Sequence, residues 1–355
     1  MARSEYLHWA KTRTPARFNL AASGVKPCSL SDLNVQLDEI DIDSPGLYGY
    51  EPLQSAIASH CKVPVESVVA TAGTSTANFL AMAAQIQPGD EVWIERPAYE
   101  PLLAVARYLG ATIRRFDRAG EGTSGLLPEM FSPATKLVVL TNLHNPTCAL
   151  LTDAELRRIL ELARQSGTRV LIDEVYLECL FEKRTSAFHL GPSVVCTGSL
   201  TKAYGLGGLR CGWILAEPEL ALRIWGLKDL IDPDASHSSE RISVAAFRQL
   251  DRLAARAKEI IEGNRARLLD FLRSCPQVEL AVPDYGTCVF PRIHSGSVDQ
   301  LFEVLHHRYD TAIVPGRFFE SPQHFRIGLG MDPTIFAEGL ARLGNALNEI
   351  GGSAL

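Results

Sequence analysis

No run in this 355-residue chain approaches the roughly 20 consecutive apolar residues that a membrane-spanning helix requires, which excludes a helical membrane span. The eight cysteines include no C-x-x-C pair and the nine histidines no H-E-x-x-H, so no structural or catalytic metal is expected. Cysteines scattered singly suit a reduced, cytoplasmic protein rather than a disulfide scaffold. Positive charge is not in excess: 35 Lys and Arg stand against 41 Asp and Glu, a net charge of −6, which gives no reason to expect a nucleic-acid partner. Arg3, Lys11, Arg13 and Arg17 near the start flank no apolar secretion core. Internal repeats, low-complexity tracts and disordered linkers are also missing. A cytoplasmic enzyme is therefore expected, with neither membrane nor nucleic acid as partner. Its 46% hydrophobic content is enough to bury a large core in two lobes.

The stretch Ser199-Leu200-Thr201-Lys202-Ala203-Tyr204-Gly205-Leu206-Gly207-Gly208-Leu209-Arg210-Cys211-Gly212-Trp213 sets one lysine among small, hydroxylated and apolar residues. Desolvation favours a neutral amine there, and a neutral amine is the nucleophile that forms an imine with an aldehyde. Its Gly205-Leu206-Gly207-Gly208 is not a dinucleotide loop, because Arg210 occupies the last glycine position of G-x-G-x-x-G and no βαβ context precedes it. Upstream, Val170 to Ile172 reads as a buried parallel strand that ends in Asp173-Glu174-Val175-Tyr176. Such carboxyl ends face the ligand crevice of an open α/β sheet, and a carboxylate buried there needs a cationic partner. Lys136 to Leu140 has the same form and leads to Asn145-Pro146-Thr147. Val68-Val69-Ala70-Thr71-Ala72-Gly73-Thr74-Ser75 reads as strand, glycine turn and helix N-terminus. That end binds an anion readily, although the same residues also serve plain helix capping.

Asn145-Pro146-Thr147, Asp173-x-x-Tyr176, Ser199-x-x-Lys202 with Arg210 eight residues on, and Phe325-Arg326-Ile327 follow one another in an order that resembles the class I/II, aspartate-aminotransferase-like pyridoxal-phosphate enzymes. The likeness runs from about Gly24 to the C-terminus. It implies fold type I: a large α/β domain with a mostly parallel, seven-stranded sheet flanked by helices, and a small α+β domain. It also implies pyridoxal 5′-phosphate as cofactor and a homodimer with shared active sites. Lys202 would hold the cofactor and shuttle the substrate α-proton, Asp173 would keep the pyridine nitrogen protonated, and Asn145 and Tyr176 would bond the phenolic oxygen. Gly73, Thr74, Ser75, Ser199 and Arg210 would cradle the phosphate, Arg210 through its planar fork. Tyr99 would stack on the ring, or simply start a helix. Arg326 would clamp the substrate α-carboxylate beside Asn145. Gly24 would close that side through a backbone approach that only a residue without Cβ allows. Tyr48 would reach the partner subunit's phosphate, although its spacing to the following glycine is shorter than the family's. The Asn145–Pro146 bond is a candidate cis peptide, and Cys148 stands where the family normally has glycine.

Six strands are expected between Leu53 and Trp225: Val68 to Ala70, Glu91 to Ile94, Leu137 to Leu140, Val170 to Ile172, Val194 to Thr197 and Gly212 to Leu215. They alternate with helical stretches such as Leu156 to Gln165. Residues 240–273 read as one long linking helix, and Gln323 to Leu329 as strand-like. The expected units are an arm at 1–44, a cofactor-binding domain at 45–240, and the linking helix with a small domain at 241–355. In place of the arginine that binds a side-chain carboxylate in aspartate-type members, Lys228 to His237 carries Asp229, Asp232 and Asp234. A neutral or cationic amino acid is then the expected substrate, the alternative being that this stretch is only a solvated acidic loop away from the site. The leading reading is an aminotransferase with a ping-pong cycle. The alternative is an enzyme of the same fold that eliminates, replaces or closes a ring, and no motif separates the two. A regulator that only binds cofactor is disfavoured, because about 45 residues before the catalytic lobe are too few for a DNA-binding module.

Overall fold

The computed structural model describes residues 3–36, 39–43, 47–118, 125–182 and 184–352. Ser4 opens helix α1 (Glu5–Thr12), its hydroxyl accepting from the Leu7 N–H that has no helical partner. The short β1 (Phe18–Asn19) and helix α2 (Glu51–Cys61) follow. The chain then alternates through β2 (Val68–Ala72), α3 (Thr74–Ala83), β3 (Glu91–Arg96), α4 (Glu100–Tyr108), β4 (Thr112–Asp117), β5 (Thr135–Thr141), α5 (Asp153–Gln165), β6 (Arg169–Asp173), β7 (Val194–Ser199) and β8 (Cys211–Leu215). These strands form one seven-stranded sheet in the order β2-β8-β7-β6-β5-β3-β4, in which β8 alone runs antiparallel. The central β5, β6 and β7 are apolar on both faces because helices cover both sides. Helix α5 shows why. Thr152 and Glu155 cap its start reciprocally, and Leu156, Ile159, Leu160 and Ala163 form the stripe it buries.

The seventh strand, β4, was not expected from the sequence. Its Thr-Ile-Arg-Arg-Phe-Asp carries charge at the sheet edge, where water rather than a helix covers much of it, so it lacks the apolar run of the inner strands.

Helix α6 (Pro218–Lys228) leads to α7 (His237–Phe247) and α8 (Leu250–Arg273). The single helix expected over 240–273 is therefore two. The chain turns at Arg248 and Gln249, and the Gln249 amide donates to the Leu33 and Ala245 carbonyls. A tertiary contact makes that break, with no glycine or proline to announce it. Helix α8 spans two hydrophobic cores: Leu250 and Leu253 pack with the large sheet, Ala257, Ile261 and Leu268 with the second cluster. Around that second core lie β9 (Val278–Glu279), β10 (Cys288–Val289), β11 (Arg292–Ile293), α9 (Val298–Tyr309), β12 (Thr311–Ala312), β13 (Val314–Pro315), β14 (Phe325–Gly328) and α10 (Pro333–Gly352). The N-terminal arm belongs to this region, since β1 pairs in parallel with β12 and Tyr6, Trp9 and Leu20 join its core. Among the described residues no helix is long and apolar enough to cross a membrane.

Candidate active site

The carboxyl ends of β2, β5, β6 and β7 open into one cleft of about 230 Å³, lined among others by Ser75, Tyr99, Asp173, Lys202 and Arg210. The sheet brings together most of what the sequence singled out.

At the end of β2, Gly73 turns the chain with φ +83 into the N-terminus of α3. The Arg210 guanidinium donates to the Ala72 carbonyl at 3.1 Å and lies where a Cβ on Gly73 would point, 2.4 Å from its Nη2, so the torsion requires glycine and a side chain there would displace the guanidinium. The first amides of α3 have no helical acceptors, and the buried Thr74 hydroxyl has no protein partner. Ser75, Ser199 and Thr201 line the same corner. The corner suits a phosphate: free N–H donors, the positive end of a helix and a planar cation.

Asp173, ending β6, is 3% exposed. Its carboxylate accepts from Asn78 Nδ2 at 2.8 Å and from the Val175 N–H at 3.0 Å, and Asn78 is itself fixed by the Thr197 hydroxyl at 2.7 Å. Burial pushes Asp173 up to about 6, against the pull of those hydrogen bonds. No cation forms an ion pair with it among the described residues, so a protonated ring nitrogen would be a favourable partner. Lys202 Nζ donates to Ser23 Oγ at 3.0 Å, and burial, helped by the Arg326 charge, pulls its amine down to about 8. The Tyr176 hydroxyl donates to the same Ser23 Oγ at 2.9 Å.

Arg326, on β14, is 1% exposed. It donates to Asn145 Oδ1 at 2.9 Å, to the Tyr6 hydroxyl at 2.8 Å and to the Ala21 carbonyl at 3.2 Å, while its Nε has no partner. No carboxylate pairs with it among the described residues. A buried guanidinium in that condition calls for an anion, and its fork matches a carboxylate. Asn145 is held by its N–H on the Thr141 hydroxyl at 3.0 Å. That hydroxyl and the Thr141 N–H both donate to Glu95, which is itself ion-paired with Arg118 at 2.8 Å.

Two expectations change. A Cβ on Gly24 would meet only ordinary contacts, 3.5 Å from the Thr201 carbonyl and 3.6 Å from Lys202 Cδ; the glycines the approach requires are Gly328 and Gly330, whose added Cβ atoms would strike the carbonyls of Ala22 and Gly24 at 1.6 and 2.4 Å. Gly24 does not line the cleft, whereas Tyr6, Leu7 and Ser23 of the same arm do. Among the described residues the cis peptides are Arg96–Pro97 and Asn142–Leu143, and Asn145–Pro146 is trans. Cys148 is buried at φ +59 behind the cleft, with Sγ 3.4 Å from Cys288 Sγ and Gly286 leaving it room. Tyr48 lies outside this cleft, 56% exposed, its ring 5.9 Å from that of Trp225. In the stretch after α6, Leu230 and Ile231 are exposed, and Lys228 turns inward onto the Asp232 and Pro233 carbonyls.

Sequence reasoning did not select Ser23, Tyr6, Asn78 or Thr141. Asn78 had a usable signal, because it lies four residues after Thr74 on the same face of α3. Tyr6 and Ser23 had none, since a loosely patterned arm brings them in.

The family model for aminotransferase class I and II matches residues 43–343. Capreomycidine synthase of Streptomyces vinaceus is 30% identical over 96% of this chain and 92% of its own length. A PLP-dependent aminotransferase structure from Streptococcus suis superposes with a TM-score of 0.91, at 23% identity, over 98% of each chain. The PLP-dependent cyclase OrfR gives a TM-score of 0.88, at 25% identity, also over 98% of each chain.

Proposed function

Because the chain belongs to the class I and II aminotransferases, a family of pyridoxal-phosphate enzymes, we propose that its cleft passes the amino group of a neutral or cationic L-amino acid to a 2-oxo acid in two half-reactions. The observation that carries this is Arg326: a buried guanidinium, held in plane by Asn145 and Tyr6, with an unpartnered Nε and no acid beside it. An α-carboxylate would complete it. Pyridoxal 5′-phosphate, when bound, supplies the electron sink for the bond broken at the α-carbon. Lys202 would hold it through the amine, and Gly73, Thr74, Ser75, Ser199 and Arg210 would take its phosphate. Asp173 would hold a proton on the ring nitrogen, while Tyr99, Asn145 and Tyr176 line the ring's place. Once free, Lys202 takes and returns the proton at the substrate α-carbon. The clamp at Arg326 decides which α-bond faces the lysine.

The preference against dicarboxylates rests on the sequence, where the stretch Lys228 to His237 that in aspartate-type members brings an arginine from the neighbouring subunit carries three acids and no arginine. The arm with the 241–355 region would close over the 45–240 region, in a cytoplasmic homodimer to which Tyr48 contributes across the interface. A second reading, ring closure or elimination after the same deprotonation, is favoured by the end-to-end likeness to capreomycidine synthase and to the cyclase OrfR.

One titration separates the two readings. The loaded enzyme is mixed with single amino acids and no acceptor, and its absorbance and products are followed. Loss of the visible cofactor band with one oxo acid per site establishes transamination and identifies the donor. Repeated product release with the band retained, as a cyclised amino acid or as oxo acid with free ammonia in excess of one per site, establishes the ring-forming or eliminating class. Faster turnover of aspartate than of ornithine, arginine or methionine would overturn the substrate preference.

A further inference from the structure

The hydroxyl of Ser23 is where the two side chains nearest the chemistry meet. Lys202 Nζ and the Tyr176 hydroxyl both donate to Ser23 Oγ, at 3.0 and 2.9 Å. Those two bonds occupy both lone pairs of the oxygen, which leaves the hydroxyl proton free to point into the cleft that Ser23 lines. The backbone beneath it is pinned from both lobes. The Ser23 carbonyl accepts from Thr287 Oγ1 at 2.8 Å, the Val25 N–H donates to the Lys202 carbonyl at 2.9 Å, and Arg326 holds the Ala21 carbonyl. Gly328 and Gly330 press against the carbonyls on either side of Ser23, so the segment has little room to shift.

We infer that Ser23 is a positioning residue that holds the free Lys202 amine at the point from which it exchanges the substrate α-proton. This rests on the reading of Lys202 given above. In the step, the lone pair of the neutral amine forms an N–H bond with the α-proton, and the electrons of the broken C–H bond stay on the substrate. The resulting ammonium has three donors, so one can remain on Ser23 Oγ while another returns the proton. A lysine on a flexible four-carbon stem, without that anchor, spreads over rotamers and loses alignment. In the structure, the bond from Tyr176 to Ser23 fixes the rotamer of the serine.

The experiment compares the wild-type enzyme with Ser23→Ala and Ser23→Thr. It uses the donor identified by titration, with hydrogen or deuterium at its α-carbon, and pyridoxal 5′-phosphate uptake by each apoprotein. For Ser23→Ala the expected results are a kcat lower by about 10- to 100-fold, KM nearly unchanged, a larger deuterium effect on kcat, and cofactor uptake slowed severalfold. Ser23→Thr restores most of each. Wild-type kcat and deuterium effect in Ser23→Ala would overturn the inference. So would a lowered kcat with an unchanged deuterium effect and a reduced Tm, which marks a structural role alone. Failure of a different kind is separable: if borohydride reduction of the loaded wild-type enzyme leaves the Lys202 peptide mass unchanged, the reading of Lys202 falls first.

Discussion

At Lys202, burial and the Arg326 charge lower the amine to about 8, so its nucleophilic form is scarce in mild acid and predominates only above about pH 8. The rate of cofactor uptake by the apoprotein should rise about tenfold per pH unit below about 8 and flatten above it; stopped-flow absorbance checks this. Glu174 titrates for a different reason. It lies buried beside Asp173, accepting from Ser186 Oγ and the Ala187 N–H, and burial pushes it up to about 7. A carboxyl raised in the folded state adds stability at low pH and loses it as pH rises through the folded value. Glu174→Gln should therefore gain on wild type by roughly 1–3 kcal/mol between about pH 4.5 and 7, as read from urea melts of the two apoproteins. A pH-independent offset from the altered hydrogen bonds leaves that slope intact. Taking the difference also removes His144, which burial holds down near 4 and which acts in the opposite sense. Lys202 and Asp173 were legible in the sequence because each sits in a glycine-rich or strand-end context that gives a charged residue no other evident purpose, whereas Arg326, inside β14, was picked out only by the family resemblance of Phe325-Arg326-Ile327. Ser23 was not, since a lone serine in Ala21-Ala22-Ser23 acquires meaning only from what folds against it.

Among the elements, β14 and the arm meet at their backbones. A methyl on Gly328 would enter the Ala22 carbonyl at 1.6 Å, so Gly328→Ala must part the two segments and disturb the Arg326 contact with Ala21. The expected cost is about 1–3 kcal/mol of stability, with a raised KM for the amino acid donor. Denaturant midpoints and steady-state kinetics test the two halves of that expectation. The inner strands could be read directly, as short β-branched runs that need cover on both faces. Two features could not: β4 hides its strand character under edge charge, and the break between α7 and α8 depends on Gln249 reaching a carbonyl more than 200 residues away in sequence. Glycine logic also misled at Gly24, because the tight partner in a backbone contact can be either strand and the sequence does not say which.

For the whole molecule, the cleft lies where the sheet's carboxyl edge meets the arm and β14, so a cofactor bound to the folded protein alone should stabilise both cores. At a thousandfold excess over Kd, pyridoxal 5′-phosphate should add about 4 kcal/mol to the unfolding free energy. Lys202→Ala should lose much of that gain, as scanning calorimetry of loaded and stripped protein would show. The pairing of β1 with β12, Phe18 beside Thr311, carries a consequence for how the molecule comes into being. A ribosome adding roughly 5–20 residues per second delivers Thr311 some 15–60 seconds after Phe18. Through that interval Tyr6, Trp9 and Leu20 have no completed second core to enter, and the nascent arm is a natural client for a chaperone. The phosphate corner and Asp173 can be complete once β8, which ties β2 to β7, has emerged, whereas Arg326 and the seat of Ser23 must wait for nearly the whole chain. During synthesis, then, the ability to hold cofactor precedes the ability to recognise substrate.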